Sequence, residues 1–198
     1  EQMCRAAGAI DLQIWATLHD GPIPKWFDNE GGFGDDAAFT KWWPRWVERA
    51  AERFGEVVTA WIPFAEIPSG APTQPWRDTW GILDGPHPVV ASVDAGSTDI
   101  DSYLGYMTHL GIALPTTWER DGEVGDRELE ASTTTWGNLI RDTAESAGRA
   151  PVVISGFCPD HDDADTSASI VEQLTSSLDD AIADGVDVTV CFLEPAIS

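Results

Sequence analysis

The sequence predicts an α/β fold built around a parallel sheet, and two observations lead to this prediction. Apolar, β-compatible runs alternate along the chain with segments whose apolar residues recur at helical spacing. The run from Leu12 to Leu18 also shows little polar alternation, which is typical of a strand that helices cover on both faces. Repeated strand-helix units of this kind build parallel sheets.

The N-terminal part of the chain predicts a helix end, a strand and a long helix. EQMCRAAGAI has the pattern of an amphipathic helix with Gly8 near its C-terminus, so we expect the chain to begin inside an element. The first strand is Leu12 to Leu18. Asp35 or Asp36 then offers an N-cap for a helix that Gly55 ends. The predicted apolar stripe of this helix is Phe39, Trp43, Trp46, Val47, Ala50 and Phe54.

The middle of the chain predicts two more strands, a short helix and a further strand candidate. The strands are Val57 to Phe64 and His87 to Val93, and the helix between them is Trp76 to Leu83. Asp101 to Met107 is the further candidate. About seven residues would then join two strands. A parallel crossover needs a dozen or more residues, so a helix is expected to be absent there.

The C-terminal part of the chain predicts a polar loop and then alternating helices and strands. In chain order these are a loop Thr116–Thr135, a helix capped by Thr134 or Thr135 and stopped at Gly148, a strand Pro151–Ile154, a helix capped by Ser167 that ends near Gly185, and a strand Val186–Leu193.

Composition limits the classes of function. The 198 residues, 42% of them hydrophobic, can bury one substantial core, so we expect a single domain over residues 1–198. The net charge of -23, from 34 acidic and 11 basic residues, repels phosphate backbones and anionic membranes. Nucleic acid and membrane are therefore not expected as partners. The acidic residues are spread along the chain, and Lys25 and Lys41 are the only lysines. This composition is expected of a salt-adapted cytoplasmic protein, and a GC-rich genome would produce the same preference for arginine over lysine.

Three cysteines, Cys4, Cys158 and Cys191, are an odd number at wide spacing. They argue against a disulfide framework and against a paired-cysteine metal site, so we expect reduced thiols. No apolar run approaches the ~18 residues that a membrane span needs. No charged-then-apolar leader is expected at the start.

Two segments carry a resemblance to a known family. TLHDGPIPKWFDNEGGF (Thr17 to Phe33) and VTAWIPFAE (Val58 to Glu66) resemble family 1 glycoside hydrolases of the β-glucosidase type. In that family the third strand ends in T-L-x-H-x-x-x-P-x-W and the fourth in x-W-x-x-x-N-E-P. The chain has Asp20 for the family's His, Ala65 for its Asn and Ile67 for its Pro. The matching residues are Thr17, Leu18, Pro24, Trp26, Gly31, Gly32, Arg53, Phe54, Gly55, Trp61 and Glu66.

The resemblance implies a (β/α)8 TIM-barrel-like fold that is reduced to about six of the eight strands. The predicted strands match the third to the eighth of the family, so the first two strands and the fifth helix would be missing. Either the barrel is naturally reduced or segments of a longer polypeptide are not in this sequence. An open barrel edge invites aggregation. We therefore expect self-association as a homo-oligomer, or a partner chain that supplies two strands.

The resemblance also implies the chemistry of the site. Retaining glycosidases use two carboxylates about 5 Å apart, which in this family follow the fourth and seventh strands. Glu66 fills the first position as general acid/base, although a lone glutamate at a strand end is more often simply solvated. The family's seventh strand ends in I-T-E-N-G, and the matching stretch is Ile154 to Cys158, so Gly156 stands in the place of the nucleophile.

Three further residues are candidates for substrate binding. Asp20 replaces a sugar-binding histidine and can still accept hydrogen bonds from sugar hydroxyls. Trp26, on the loop after the first strand, is a candidate for stacking on a sugar. Glu194 follows the last strand, where Phe192 to Pro195 replaces the family's W-S-L. Glu194 and Asp94, which follows another strand, are also the two carboxylates that could take the place of the missing nucleophile, although both are more often rim or capping residues.

No metal and no cofactor are expected. The acidic run Asp160 to Asp165 lacks the glycine and the terminal glutamate of a calcium loop. Two hypotheses for the function remain, and whether the chain is an enzyme stays open. The first is a divergent family 1-like hydrolase of β-glycosides that uses Glu66 without the usual nucleophile. The second is a non-catalytic barrel that binds a small carbohydrate or forms part of an assembly.

Overall fold

The chain is described by a computed structural model, which covers residues 2–65, 73–97, 100–101, 103–114, 126–148, 150–157 and 164–193. The chain divides into two compact units, each described by itself below. The first unit is Glu1–Ser92 with Ser102–His109, and the second is Val93–Asp101 with Leu110–Ser198. The single domain expected from the length stays a prediction.

Strands and helices alternate along most of the described residues. The strands are β1 (Trp15–Thr17), β2 (Ala60–Ile62), β3 (Val90–Asp94), β4 (His109–Ala113), β5 (Val152–Gly156) and β6 (Val188–Cys191). The helices are α1 (Gln2–Gly8), α2 (Lys25–Asn29), α3 (Asp36–Phe54), α4 (Thr73–Leu83), α5 (Asp126–Ser146) and α6 (Ala164–Ala183), with one 3-10 turn at Gly32–Gly34. No helix in the described ranges is long and apolar enough to cross a membrane.

Within each of the two sheets the strands follow chain order, and the strand pairs whose register is described run parallel. In the first unit, β1 pairs with β2 in parallel register. The Trp61 N–H donates to the Pro88 carbonyl at 2.8 Å, and Trp61 forms a parallel bridge with Val89, the residue before β3. The second sheet has the order β3-β4-β5-β6, with parallel β4/β5 and β5/β6 pairs. The predicted parallel α/β arrangement is therefore confirmed.

Local signals predicted α3 well. The Asp35 carboxylate accepts the Ala38 N–H at 2.7 Å, which makes Asp35 the N-cap, and Gly55 is the C-cap. One predicted member of the buried stripe is wrong, because Trp46 is 55% exposed. Its indole N–H donates to the Leu18 carbonyl at 3.2 Å, so a hydrogen bond, and not burial, holds the ring. The buried side chains of the helix are Ala38, Phe39, Trp43, Val47 and Ala50.

The fourth strand corrects the prediction for the middle of the chain. Asp101–Met107 was expected as a strand, but its described residues form turns, and the strand is His109–Ala113. Gly111 interrupts the apolar run of this strand, whereas its neighbours Leu110 and Ile112 are fully buried. The connection is therefore 95–108, long enough for a parallel crossover, so the short seven-residue join was wrong. The described residues of this connection contain no helix.

Two helices begin earlier than their patterns predicted. The Thr116–Thr135 loop is wrong in its second part, because α5 begins at Asp126 and includes Thr134 and Thr135. Asp-Arg-Glu-Leu-Glu-Ala is rich in good helix formers, and this propensity outweighs its polarity. Helix α6 begins at Ala164, so Ser167 lies inside it and does not cap it.

Some predicted boundaries hold, and one short helix was not predicted. Gly148 and Gly185, which follow α5 and α6, adopt φ values of 72° and 97°, the left-handed conformation in which glycine ends helices. Both predicted stops are confirmed. Helix α2 lies in a segment expected to be a loop. The expected association through an open barrel edge stays a prediction.

Candidate functional site

The carboxyl ends of β1 and β2 lie side by side in the first unit. The Leu18 N–H donates to the Ile62 carbonyl at 2.9 Å, and beyond the strands the Ala65 N–H donates to the His19 carbonyl at 2.9 Å. Asp20 follows His19 and is exposed. In parallel α/β proteins the carboxyl ends of strands carry the active sites.

Glu66, the predicted general acid/base, is the residue that follows Ala65 in the sequence. It lies outside the described residues, as does Glu194. The catalytic role of Glu66 and the substrate-binding role of Glu194 therefore stay predictions. Ala65 is the last described residue before Glu66, and its backbone N–H is hydrogen-bonded to the His19 carbonyl just after β1.

An aromatic cluster packs next to these strand ends. Phe64 is fully buried, and its ring stacks on Trp43 with ring centroids 4.3 Å apart. Phe33 contacts Phe64 edge-on at 5.7 Å and Phe39 at 5.1 Å. The sequence folds in this way because β2 runs directly into Pro63 and Phe64, both buried, while α3 turns its apolar stripe toward them. The cluster gives the strand ends a rigid apolar support.

His19 is a candidate functional residue that the sequence reasoning missed. Its half-buried ring lies 4.6 Å from Phe33 and 6.0 Å from Phe64, measured between ring centroids. Burial lowers the pKa of His19, while the charge of Asp20 raises it in part. A neutral imidazole offers one donor and one acceptor. The resemblance aligns the family's histidine with position 20. The histidine at the neighbouring position, His19, was the sequence signal that could have identified this residue.

A buried donor lies next to the same cluster. Trp76, in the first turn of α4, is buried with its ring 6.0 Å from Phe64 and 5.4 Å from Tyr103. Its indole N–H has no hydrogen-bond acceptor in the part of the chain that the structure describes. A buried unpaired donor costs about 1–3 kcal/mol. A water or a ligand hydroxyl at this N–H would recover that energy.

Asp20 and Trp26 belong to the segment between β1 and α3. Asp20 is exposed, and Trp26 lies on α2 with 53% of its surface exposed. The Trp26 ring contacts Trp42 of α3 edge-on, with ring centroids 5.1 Å apart. No contact between Asp20 and Trp26 is described. Their predicted roles in substrate binding remain predictions.

The second unit holds the positions matched to the family's nucleophile and to the strand-end acids. Gly156 is the last residue of β5, and its carbonyl accepts the Leu114 N–H at 3.0 Å. The matched position is therefore a strand end without a side chain. Asp94 ends β3 and is exposed. Burial raises the pKa of the Cys191 thiol, which disfavours the thiolate needed for nucleophilic attack.

A cleft of about 750 Å³ opens at the opposite ends of the strands in the second unit. It is lined by the start of β5 at Val152 and by the C-terminal ends of α5 and α6. Arg141 in this cleft pairs with Asp184 at 2.9 Å and also donates to Asn138 at 2.7 Å. The amino ends of parallel strands serve stability in barrel enzymes. We therefore assign this cleft no catalytic role.

The acidic run Asp160–Asp165, which lacks the features of a calcium loop, lies outside the described residues at 160–163. Within the described ranges, no group of three His, Cys, Asp or Glu side chains is arranged to hold a metal ion.

Comparisons with known proteins support the fold of the chain. No protein-family model matches it, and no curated protein matches it. Solved structures do match. A family 1 β-glucosidase from Exiguobacterium antarcticum B7 has a TM-score of 0.69 at 12% identity, over 98% of this chain and 67% of that one. A β-glucosidase from Exiguobacterium marinum has a TM-score of 0.70 at 11% identity, over 98% and 68% of the two chains.

A β-glycosidase from Pyrococcus horikoshii matches with a TM-score of 0.68 at 15% identity, over 97% of this chain and 64% of that one. The chain thus spans about two thirds of the length of these proteins. At sequence identities this low, structural similarity supports a conclusion about the fold only. The chain has an α/β, TIM-barrel-like fold similar to that of these glycosidases, and the predicted fold class is confirmed.

Proposed function

We propose that the chain is a divergent relative of the family 1 glycoside hydrolases that binds β-glycosides, with Glu66 as general acid/base and no nucleophile of its own. The observation that carries this proposal is the pairing of the strand ends. The Ala65 N–H bonds to the His19 carbonyl at 2.9 Å, so the described chain is fixed one residue before Glu66 and one residue before Asp20.

The neighbouring side chains suit a sugar. A neutral His19 can donate to one hydroxyl and accept from another. The unpaired indole N–H of Trp76 is a further donor beside Phe64. Ligand sites commonly combine such an apolar, aromatic lining with a few placed polar groups.

Chemistry at this site would be incomplete. Glu66 would protonate the leaving oxygen as the glycosidic C–O bond breaks, and general acid catalysis contributes about 10²–10⁴-fold. Gly156, the residue matched to the nucleophile, cannot form a covalent glycosyl intermediate. Hydrolysis of aryl β-glucosides is therefore expected to be very slow.

A small external nucleophile tests this proposal. Azide attacks the anomeric carbon from the side opposite the leaving group, so a β-glucoside is expected to yield the α-glucosyl azide and the free phenol. The rate should rise with azide concentration for the wild-type protein and for the Glu145→Gln control, which changes an exposed carboxylate on α5. It should fall by about 10²-fold or more for Glu66→Gln with a poor leaving group. A turnover of ~1–10³ per second without azide would overturn the proposal, because it would require a nucleophile elsewhere.

The second candidate function is a non-catalytic sugar-binding barrel, which the glycine at position 156 favours. Calorimetric titration with methyl β-glucoside separates the two functions. Binding without any azide-dependent product supports the non-catalytic protein. Binding with such a product supports the divergent hydrolase.

A further inference from the structure

We draw no further inference here: the strongest candidate, the cleft that the C-terminal ends of α5 and α6 form with the start of β5 in the second unit, offers a cluster of acidic side chains, Glu145, Asp184 and Asp187, and nothing in the part of the chain that the structure describes points to a ligand for it.

Discussion

Replacing Phe64 by alanine is expected to lower the free energy of unfolding by about 4–5 kcal/mol, at the upper end of the about 3–5 kcal/mol usual for buried phenylalanines. Phe64 is 1% exposed, so the change leaves a cavity. Its stacking on Trp43 at 4.3 Å adds an aromatic contribution of about 0.5–1.5 kcal/mol. The other rings around it are Phe33 at 5.7 Å, His19 at 6.0 Å, Trp76 at 6.0 Å and Phe39 at 6.1 Å.

Phe157→Ala is the matched control. Phe157 is also 1% exposed, but its ring contact within the described ranges is with Trp136 alone, at 5.1 Å. It loses the same volume with fewer ring contacts, so we expect a cost of about 3 kcal/mol. The difference between the two variants, about 1–2 kcal/mol, measures the aromatic cluster.

Urea unfolding followed by tryptophan fluorescence and by circular dichroism measures both costs. NMR titration of His19 gives a second measurement, because Phe64 contributes to the burial that lowers the pKa of His19. In Phe64→Ala this pKa should rise toward its ordinary value of 6.5. A Phe64→Ala cost no larger than that of Phe157→Ala, with an unchanged His19 titration, would refute the role of the cluster.

Three further predictions concern the cap, the cleft and the histidine. Asp35→Ala removes the acceptor of the Ala38 N–H and should cost about 1 kcal/mol in urea unfolding, whereas Asp35→Asn keeps most of it; equal losses would contradict the capping role. Arg141→Ala breaks the partly exposed pair with Asp184 and should cost at most about 1 kcal/mol, less in high salt, without changing sugar binding. A larger cost would mean that the pair is more buried than its exposure indicates. His19 has a folded-state pKa below 6.5, so the unfolded chain binds more protons between these values, and stability is lost as the pH falls through about 6.5. Unfolding measured from pH 8 to 5 should show this slope, and His19→Gln should flatten it; an unchanged slope would assign it to another group.

Elements with local signals were predicted well from the sequence. Helix α3 carries its cap at Asp35, its stop at Gly55 and a period of buried residues, and all three are local. The β4 strand was missed because its pairing depends on strands far away in the sequence, and Gly111 hides the apolar pattern. The start of α5 was missed for a related reason. Its polar first turns were interpreted as a loop, although their helix propensity is high.

The roles predicted for the candidate-site residues stay predictions, and the sequence alone does not decide between neighbouring positions at the end of β1. The match of Thr17 and Leu18 located the end of β1 correctly, because β1 ends at Thr17. The same match assigned the sugar-binding position to Asp20, one residue beyond His19. Neighbouring residues at the end of an extended strand point in different directions. A shift of one position therefore exchanges an exposed carboxylate for a half-buried imidazole, and no spacing rule in the sequence distinguishes the two.

A glycine at position 156 need not disturb the fold, since the fold and the proposed chemistry depend on different residues. The fold relies on buried apolar side chains such as Phe64, Val153 and Ile154. Gly156, the residue that the resemblance matches to the family's nucleophile, contributes a backbone carbonyl to the Leu114 N–H, and any residue type can supply that carbonyl. A chain can therefore keep a glycosidase-like fold after its chemistry has changed. For this reason the function must be tested through ligands and external nucleophiles, and fold similarity alone cannot decide it.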